Sequence, residues 1–203
     1  FVFFHFFCLS CMGVSSQIKL NPDGTGSIEL EYRVALELED LGKLDGNEKY
    51  APVPVSRMDF ERTIARIPGM RLRSYESKKD SRDMLHRAEL SFNSPEALTA
   101  FFDSGGRTFK LDFKARKAAF TFPGTKTAEP VFKELIGDAL GGYTFSLSFS
   151  VPGDAKVTWI DENGKKIYNI LGKCLVKGQT VDFTVSMADL VLLNSSLTLE
   201  INW

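Results

Sequence analysis

Apolar and polar residues alternate with a period of two from residue 15 onward, and this pattern predicts a long β-hairpin. Its first strand contains Ile18 and Leu20, and the sequence Asn-Pro-Asp-Gly-Thr-Gly at residues 21–26 predicts the turn. The residues between the apolar positions of the second strand are mostly charged, so we expect one buried face and one hydrated face. These apolar positions are Ile28, Leu30, Tyr32, Val34, Leu36 and Leu38.

Three helices are predicted from capping residues and from apolar residues at helical spacing. Ser56 is the expected N-cap of the first helix, which ends at Pro68. Ser94 followed by Pro95 is typical of a helix start, and this second helix continues to residue 102. The third and most clearly amphipathic helix is predicted at residues 128–140. Between and after these helices the period returns to two, which predicts further strands.

The predicted element order is ββαββαββ, then the third helix and further strands, and this order defines an α+β fold. We expect an antiparallel, β-rich body, either a curved sheet or a barrel-like structure, with about three helices. No Pro/Ser-rich linker divides the chain, so we predict a single domain at residues 15–203, with 15–124 and 125–203 as possible subdomains. Such a domain is long enough to bury a substantial core.

Composition and charge are typical of a globular protein and argue against nucleic-acid binding. The chain has 203 residues, 43% of them hydrophobic and 25% charged, and a formal net charge of −1. Because there is no overall positive charge, we expect no nucleic-acid partner. The charge is nevertheless uneven, since residues 57–117 contain fourteen basic and nine acidic side chains. This basic third suits contact with anionic lipid headgroups, and an ordinary mixed-charge surface is the alternative interpretation.

The first fourteen residues form an apolar segment without formally charged side chains. Five of the seventeen Phe residues lie within residues 1–7. As a helix the segment reaches about 20 Å, which is too short for the ~30 Å hydrocarbon core of a bilayer. Its length is typical of the apolar region of a secretory signal peptide, and we interpret residues 1–10 as a truncated signal. A cleaved signal without a lipid and an apolar first strand are the alternatives.

The end of this segment, Leu9-Ser10-Cys11, resembles the lipobox of bacterial lipoproteins. In that family the cysteine carries the lipid and becomes the first residue of the mature protein. The resemblance implies lipid attachment at Cys11, a lipid-anchored N-terminus at residues 11–14, and an extracytoplasmic location in the bacterial cell envelope, on the periplasmic face or the cell surface. Only Cys174 then remains in the mature domain, so no internal disulfide is expected.

The set of reactive side chains predicts no enzyme. The only histidines are His5, in the signal segment, and His86, so a two-imidazole site or HExxH zinc site is excluded for the mature domain. GxSxG, P-loop and GxGxxG sequences are absent. We therefore predict no catalytic residues, no metal site and no cofactor, and we interpret His86 as a structural side chain in an apolar strand row.

The layout of the mature region resembles the LppM type of bacterial lipoprotein domain. The matching features are an opening hairpin with Asp23-Gly24-Thr25-Gly26 in its turn, an extended second strand and a β-rich body with few helices. The resemblance implies a non-enzymatic, envelope-anchored, barrel-like domain with a cavity for a lipid or glycolipid.

We expect the protein to bind a lipid or other amphiphile while anchored to the membrane through its N-terminal lipid. The alternative is an extracytoplasmic protein-interaction or surface host-contact module with an envelope protein partner. Candidate rims of a ligand site are the loop at residues 42–55 and the pair Phe101 and Phe102, although a surface connection and core packing explain them equally well.

Overall fold

The computed structural model describes residues 12–36, 56–81, 83–103, 108–124, 140, 142–168 and 171–203. The apolar segment with Cys11, the loop at 42–55 and nearly all of the helix predicted at 128–140 lie outside these residues. Leu140, the last residue of that predicted helix, is helical and fully buried.

Twelve strands and three helices lie within the described part of the chain. The strands are β1 (Met12–Leu20), β2 (Gly26–Ala35), β3 (Met70–Asp80), β4 (Asp83–Phe92), β5 (Phe109–Asp112), β6 (Lys117–Phe122), β7 (Thr144–Ser150), β8 (Lys156–Ile160), β9 (Lys166–Ile167), β10 (Lys173–Lys177), β11 (Thr180–Ser186) and β12 (Leu197–Asn202). The helices are α1 (Arg57–Ala65), α2 (Pro95–Phe102) and α3 (Met187–Val191).

The larger sheet has seven strands in the order β10-β11-β7-β1-β2-β4-β3. The predicted opening hairpin is confirmed, because β1 and β2 pair antiparallel with Ile18 opposite Ile28. One pairing departs from the antiparallel prediction, since β1 and β7 run parallel with Val14 opposite Phe145. Parallel neighbours need a long crossover, and here the chain from β2 to β6 supplies it, so no local pattern could reveal this pair.

The smaller sheet has five antiparallel strands in the order β5-β6-β12-β8-β9. It packs on the larger sheet through aromatic side chains: Phe120 of β6 contacts Phe149 of β7 edge-on at 5.8 Å between ring centroids, and Trp159 of β8 contacts Phe183 of β11 at 5.3 Å. Edge-on rings add to the stabilisation that burial alone provides. Strands from before and after residue 125 therefore pair within both sheets and share one core.

The capping residues act as the sequence predicts in α1 and α2. The Ser56 hydroxyl accepts a hydrogen bond from the Asp59 amide at 3.2 Å, and Ser94 does the same for Ala97. Phe60, on the apolar face of α1, is fully buried against the larger sheet. The third described helix was not predicted, because Met187 continues the alternation of β11 and hides the N-cap at Ser186.

The α+β fold class is confirmed: the body is β-rich and largely antiparallel, with three helices and curved sheets. Each sheet ends in an unpaired edge strand within the described residues, so the two sheets are open and the barrel-like alternative does not describe them.

Candidate functional site: an arginine-lined groove

A groove of about 380 Å³ opens at the end of the larger sheet where β1 turns into β2 and where β3 begins. It collects residues that are more than 70 positions apart in the sequence, because the turn after β1, the start of β3 and the end of β4 meet there. The lining residues are Asn21, Thr25, Gly26, Gly69, Arg71, Arg73, Ser91, Phe92 and Asn93.

Arg71 and Arg73 are two residues apart in β3, so strand alternation places both on the same side of the sheet, and a β-bulge begins at Arg73. Leu72 pairs with Leu90, whereas Ser74 pairs with Glu89, so Arg73 is the extra residue between them. Leu72 packs against the core, and Arg71 and Arg73 on either side of it are exposed. Two guanidinium groups therefore line one groove.

Neither guanidinium group is neutralised by a carboxylate among the described residues, whereas other arginines of the basic third are. Arg57 pairs with Glu61 at 3.0 Å, and Arg87 pairs with Glu31 at 2.7 Å. Arg71 and Arg73 form no such ion pair within the described ranges. Their charge is open to a ligand.

Ser91 orients the second guanidinium group. The Arg73 Nε–H donates a hydrogen bond to the Ser91 hydroxyl oxygen at 2.9 Å. Because that oxygen accepts from Arg73, the Ser91 hydroxyl proton points elsewhere and can be donated to an acceptor in the groove. The groove thus offers guanidinium and hydroxyl donors together.

The turn on the opposite wall is fixed by its own hydrogen bonds. The Thr25 hydroxyl donates to the Asp23 carboxylate at 2.7 Å and accepts from the Asn21 amide at 3.0 Å. These bonds to Thr25, through its side chain first and its backbone second, lower the pKa of Asp23 from its ordinary value of 3.8. The wall is therefore rigid, and the Thr25 hydroxyl is already committed to it.

Two glycines allow the chain segments beside the groove to pack closely. A Cβ atom at Gly26 would lie 2.0 Å from the Lys19 carbonyl oxygen and 2.3 Å from the Phe92 ring. Gly69 has a φ of +88°, and a Cβ there would lie 1.8 Å from the Asn93 side-chain oxygen. Only glycine fits either position, so this close approach of the segments that line the groove depends on glycine.

The chemistry of this lining favours an oxyanion. Guanidinium groups match the planar geometry of carboxylates and phosphates and bind them through paired hydrogen bonds. The Ser91 hydroxyl adds a neutral donor. The groove has no general base among its described residues, so the arrangement suits binding rather than proton transfer.

A smaller cleft of about 150 Å³ lies at the opposite end of β1, between Gly13 and Tyr143. Both Glu31 and Arg33 line it, and Glu31 pairs with Arg87 while Arg33 pairs with Asp80. Its charges are mutually compensated, so it offers no comparable open charge.

His86 occupies a buried position rather than a cleft. Its ring is 1% exposed, stacks on Tyr32 at 5.0 Å between centroids, and shares a 2.8 Å hydrogen bond between Nδ1 and the Tyr75 hydroxyl. Burial raises the pKa of Tyr32 above its ordinary value, which keeps this phenol protonated. The interpretation of His86 as a packed strand residue agrees with this geometry.

The other residues singled out in the sequence lie away from the groove. Cys11 and the loop at 42–55 fall outside the described residues. Phe101 and Phe102 meet edge-on at 5.2 Å, and Phe102 contacts Phe109 of β5, so this pair packs against the core. Cys174 is free and half-buried, and burial raises the pKa of its thiol.

Sequence reasoning noted Arg71 and Arg73 only as members of a basic third. Strand alternation alone places both arginines on one side, but no local pattern shows that the turn after β1 and the end of β4 lie beside them. Within the described ranges no group of acidic, His and Cys side chains is arranged to hold a metal ion. No described helix combines the length and the apolar character needed to cross a membrane.

A scan of protein-family models finds no match to this chain, and no curated protein is significantly similar to it in sequence.

Proposed function

We propose that this chain is a non-enzymatic binding domain of the bacterial cell envelope, anchored by a lipid on Cys11, that recognises the anionic headgroup of a lipid or other amphiphile. The observation that carries the proposal is the open pair of guanidinium groups, Arg71 and Arg73, in one groove.

The size and polarity of the groove support a headgroup as the ligand. About 380 Å³ accommodates a phosphate or carboxylate with a short carbon frame. Six of the nine lining residues carry polar side chains, two of them guanidinium groups, and Phe92 is the one aromatic contact, so the lining suits a headgroup. We therefore propose that the groove holds the headgroup of the lipid and not its acyl chains.

The position of the groove supports a ligand that approaches from the aqueous side of the membrane. β1 starts one residue after Cys11, and the groove lies at the other end of β1. A nine-residue strand spans about 27 Å. If the lipid on Cys11 is inserted in a membrane and β1 runs perpendicular to the membrane plane, the groove lies at the end of β1 that is farther from the membrane. It would then bind headgroups that approach from the aqueous side.

Calorimetric titration of the full chain with glycerol phosphate, a soluble stand-in for a phospholipid headgroup, tests the proposed ligand. We expect saturable binding by the wild type and a loss of about 100-fold in the Arg71→Gln/Arg73→Gln variant, because each charge-assisted hydrogen bond contributes about 1.5–3 kcal/mol. The control is Lys110→Gln/Lys114→Gln, which removes the same charge from exposed lysines outside the groove.

Two results would contradict the proposed ligand. One is the absence of saturable binding by the wild type to glycerol phosphate. The other is an equal loss of affinity in the arginine and lysine variants, which would show that the affinity depends on net charge and not on the groove. A purified chain that binds no headgroup but forms a stoichiometric complex with an envelope protein would support the protein-interaction alternative instead.

Metabolic labelling with a palmitate analogue tests the anchor. We expect the wild type to incorporate label and Cys11→Ala to incorporate none, with Cys174→Ala as the control that retains it. Absence of label in the wild type would leave a secreted domain without a lipid.

A further inference from the structure

We propose a second contact of this protein with lipid: the edge formed by Lys165, Lys166, Tyr168, Lys173 and Leu175, here called the lysine–tyrosine edge, docks on an anionic bilayer surface. It is separate from the arginine groove and consists of described residues of β9, of Lys165 and Tyr168 on either side of that strand, and of the start of β10.

The first argument is exposed apolar surface. The described residues include four large hydrophobic side chains that are strongly exposed, and three of them lie between residues 168 and 176. Tyr168 is 94% exposed and Leu175 42%, whereas Val176, at 40%, lies on the other side of β10 and does not belong to this edge. A single exposed apolar side chain is ordinary, but a local group of them marks a contact surface. Tyrosine, with its apolar ring and polar hydroxyl, is favoured where a bilayer meets water.

The second argument is charge. Residues 164–178 contain four lysines and no acidic residue. Lys177 pairs with Asp182 at 3.6 Å. The other three, Lys165, Lys166 and Lys173, are exposed and form no ion pair with any described carboxylate. A surface that combines exposed Tyr and Leu with unpaired lysines is complementary to anionic lipid headgroups above an acyl layer.

The third argument is position. Through the register of the larger sheet, Lys173 lies opposite Thr184, Thr184 opposite Ser146, and Ser146 opposite Ser15. Three strand spacings separate Lys173 from Ser15, which is about 14 Å. Ser15 is four residues from Cys11, so a lipid on Cys11 would hold this edge close to the membrane. This orientation rests on the proposed anchor, whereas the surface itself does not.

The open edge of β10 also explains why the lysines are there. Among the described strands, β10 is the last of its sheet and has one neighbour, β11. Lysines on an edge strand oppose pairing with another strand, because they must be desolvated to do so. The same lysines lose little when they rest on a hydrated, anionic headgroup layer. A bilayer is therefore favoured over a second protein strand as the occupant.

Vesicle sedimentation with the full chain tests the proposal, with neutral phosphatidylcholine vesicles compared with vesicles containing about 30% phosphatidylglycerol. The segment at residues 1–11 is without formal charge and contributes similarly to both. Because the proposed groove also takes a glycerol phosphate headgroup, the comparison is made in the Arg71→Gln/Arg73→Gln background, where the difference between vesicle types reports the edge. We expect the anionic vesicles to bind about 100-fold better, because three unpaired lysines each contribute about 1 kcal/mol. Neutralising Lys165, Lys166 and Lys173 to Gln should remove most of this preference, at about fivefold per lysine.

Two controls separate this surface from the groove and from net charge. Lys110→Gln/Lys114→Gln, at the opposite edge of the smaller sheet, should keep most of the preference. Arg71→Gln/Arg73→Gln should keep the part of the preference that the three lysines supply, while losing glycerol phosphate. Tyr168→Trp should give a blue-shifted emission on anionic vesicles, which reports insertion of that position rather than charge alone. Circular dichroism identifies variants that are folded.

Several outcomes would overturn the proposal. One is equal binding to neutral and anionic vesicles. Another is that Lys110→Gln/Lys114→Gln loses the preference for anionic vesicles as strongly as the triple lysine variant does. A third is that the arginine variant loses this preference and the triple lysine variant keeps it. Concentration-dependent dimerisation that Leu175→Lys abolishes, without any anionic preference, would assign the edge to a second copy of the chain.

Discussion

Two arginine-bearing regions lie close together in the sequence and differ in how their charge is used. On α1, Arg57 and Arg62 pair with carboxylates of the same helix, because residues three and four apart share a helix face. On β3, the cross-strand neighbour of Arg71 is Ser91, and the bulge places Arg73 on the same hydroxyl. The residue type is the same, but one pair of arginines stabilises a helix and the other remains open to a ligand.

The largest expected effect lies in the helical pair. Asp59 is 5% exposed, pairs with Arg62 and lies in the first turn of α1. We expect Asp59→Ala to lower the free energy of unfolding by about 2–3 kcal/mol, because a half-buried guanidinium group loses a partner. Urea denaturation measures this, with the exposed Glu61→Ala as the control at about 0.5 kcal/mol or less. Equal losses in the two variants would remove the distinction that we draw.

The next largest effect is expected when the two groove arginines are replaced by lysines. Arg71→Lys/Arg73→Lys keeps both charges but removes the planar fork. We expect glycerol phosphate to bind about tenfold more weakly, which is about 1.4 kcal/mol, because paired hydrogen bonds to one oxyanion are lost. The free energy of unfolding should change by less than about 0.5 kcal/mol, since exposed side chains rarely contribute more. Unchanged affinity would show that charge alone suffices.

A smaller effect is expected from the residue that orients Arg73. Ser91→Ala removes the acceptor of the Arg73 Nε–H and one donor of the groove. We expect about a fivefold loss of glycerol phosphate affinity, as for one neutral hydrogen bond. Ser74→Ala is the matched control, because Ser74 is exposed on the same strand and does not line the groove. The same loss at Ser74 would speak against a role of Ser91 in orientation.

The smallest effect concerns the turn that forms the opposite wall. Removing the hydroxyl in Thr25→Val should raise the pKa of Asp23 toward 3.8, and a carboxyl NMR titration measures this. Because the folded pKa lies below the unfolded one, this interaction stabilises the fold above the unfolded pKa and is lost as the pH falls through the folded pKa. An unchanged Asp23 titration would show that the Thr25 hydroxyl bond does not hold the turn.

Local patterns predicted the elements that depend on neighbouring residues. The opening hairpin and the caps at Ser56 and Ser94 appear in the structure. Each is encoded within about twenty residues, through a turn, an alternation or a cap.

Features that depend on distant pairing could not be predicted. The parallel β1–β7 pair joins Val14 to Phe145, and the short edge strand β10 owes its pairing to β11. The groove is of the same kind, because its walls come from the turn after β1, the start of β3 and the end of β4. The arginines were visible in the sequence, but their open charge was not.

The most direct test of the central claim is an NMR titration of the ¹⁵N-labelled full chain with glycerol phosphate, followed at the arginine Nε–H signals. We predict saturable shifts at Arg71 and Arg73 and at the amides of Ser91 and Asn93, with Arg57 unchanged. Unshifted signals of Arg71 and Arg73, or shifts of equal size at Arg57, would contradict the account.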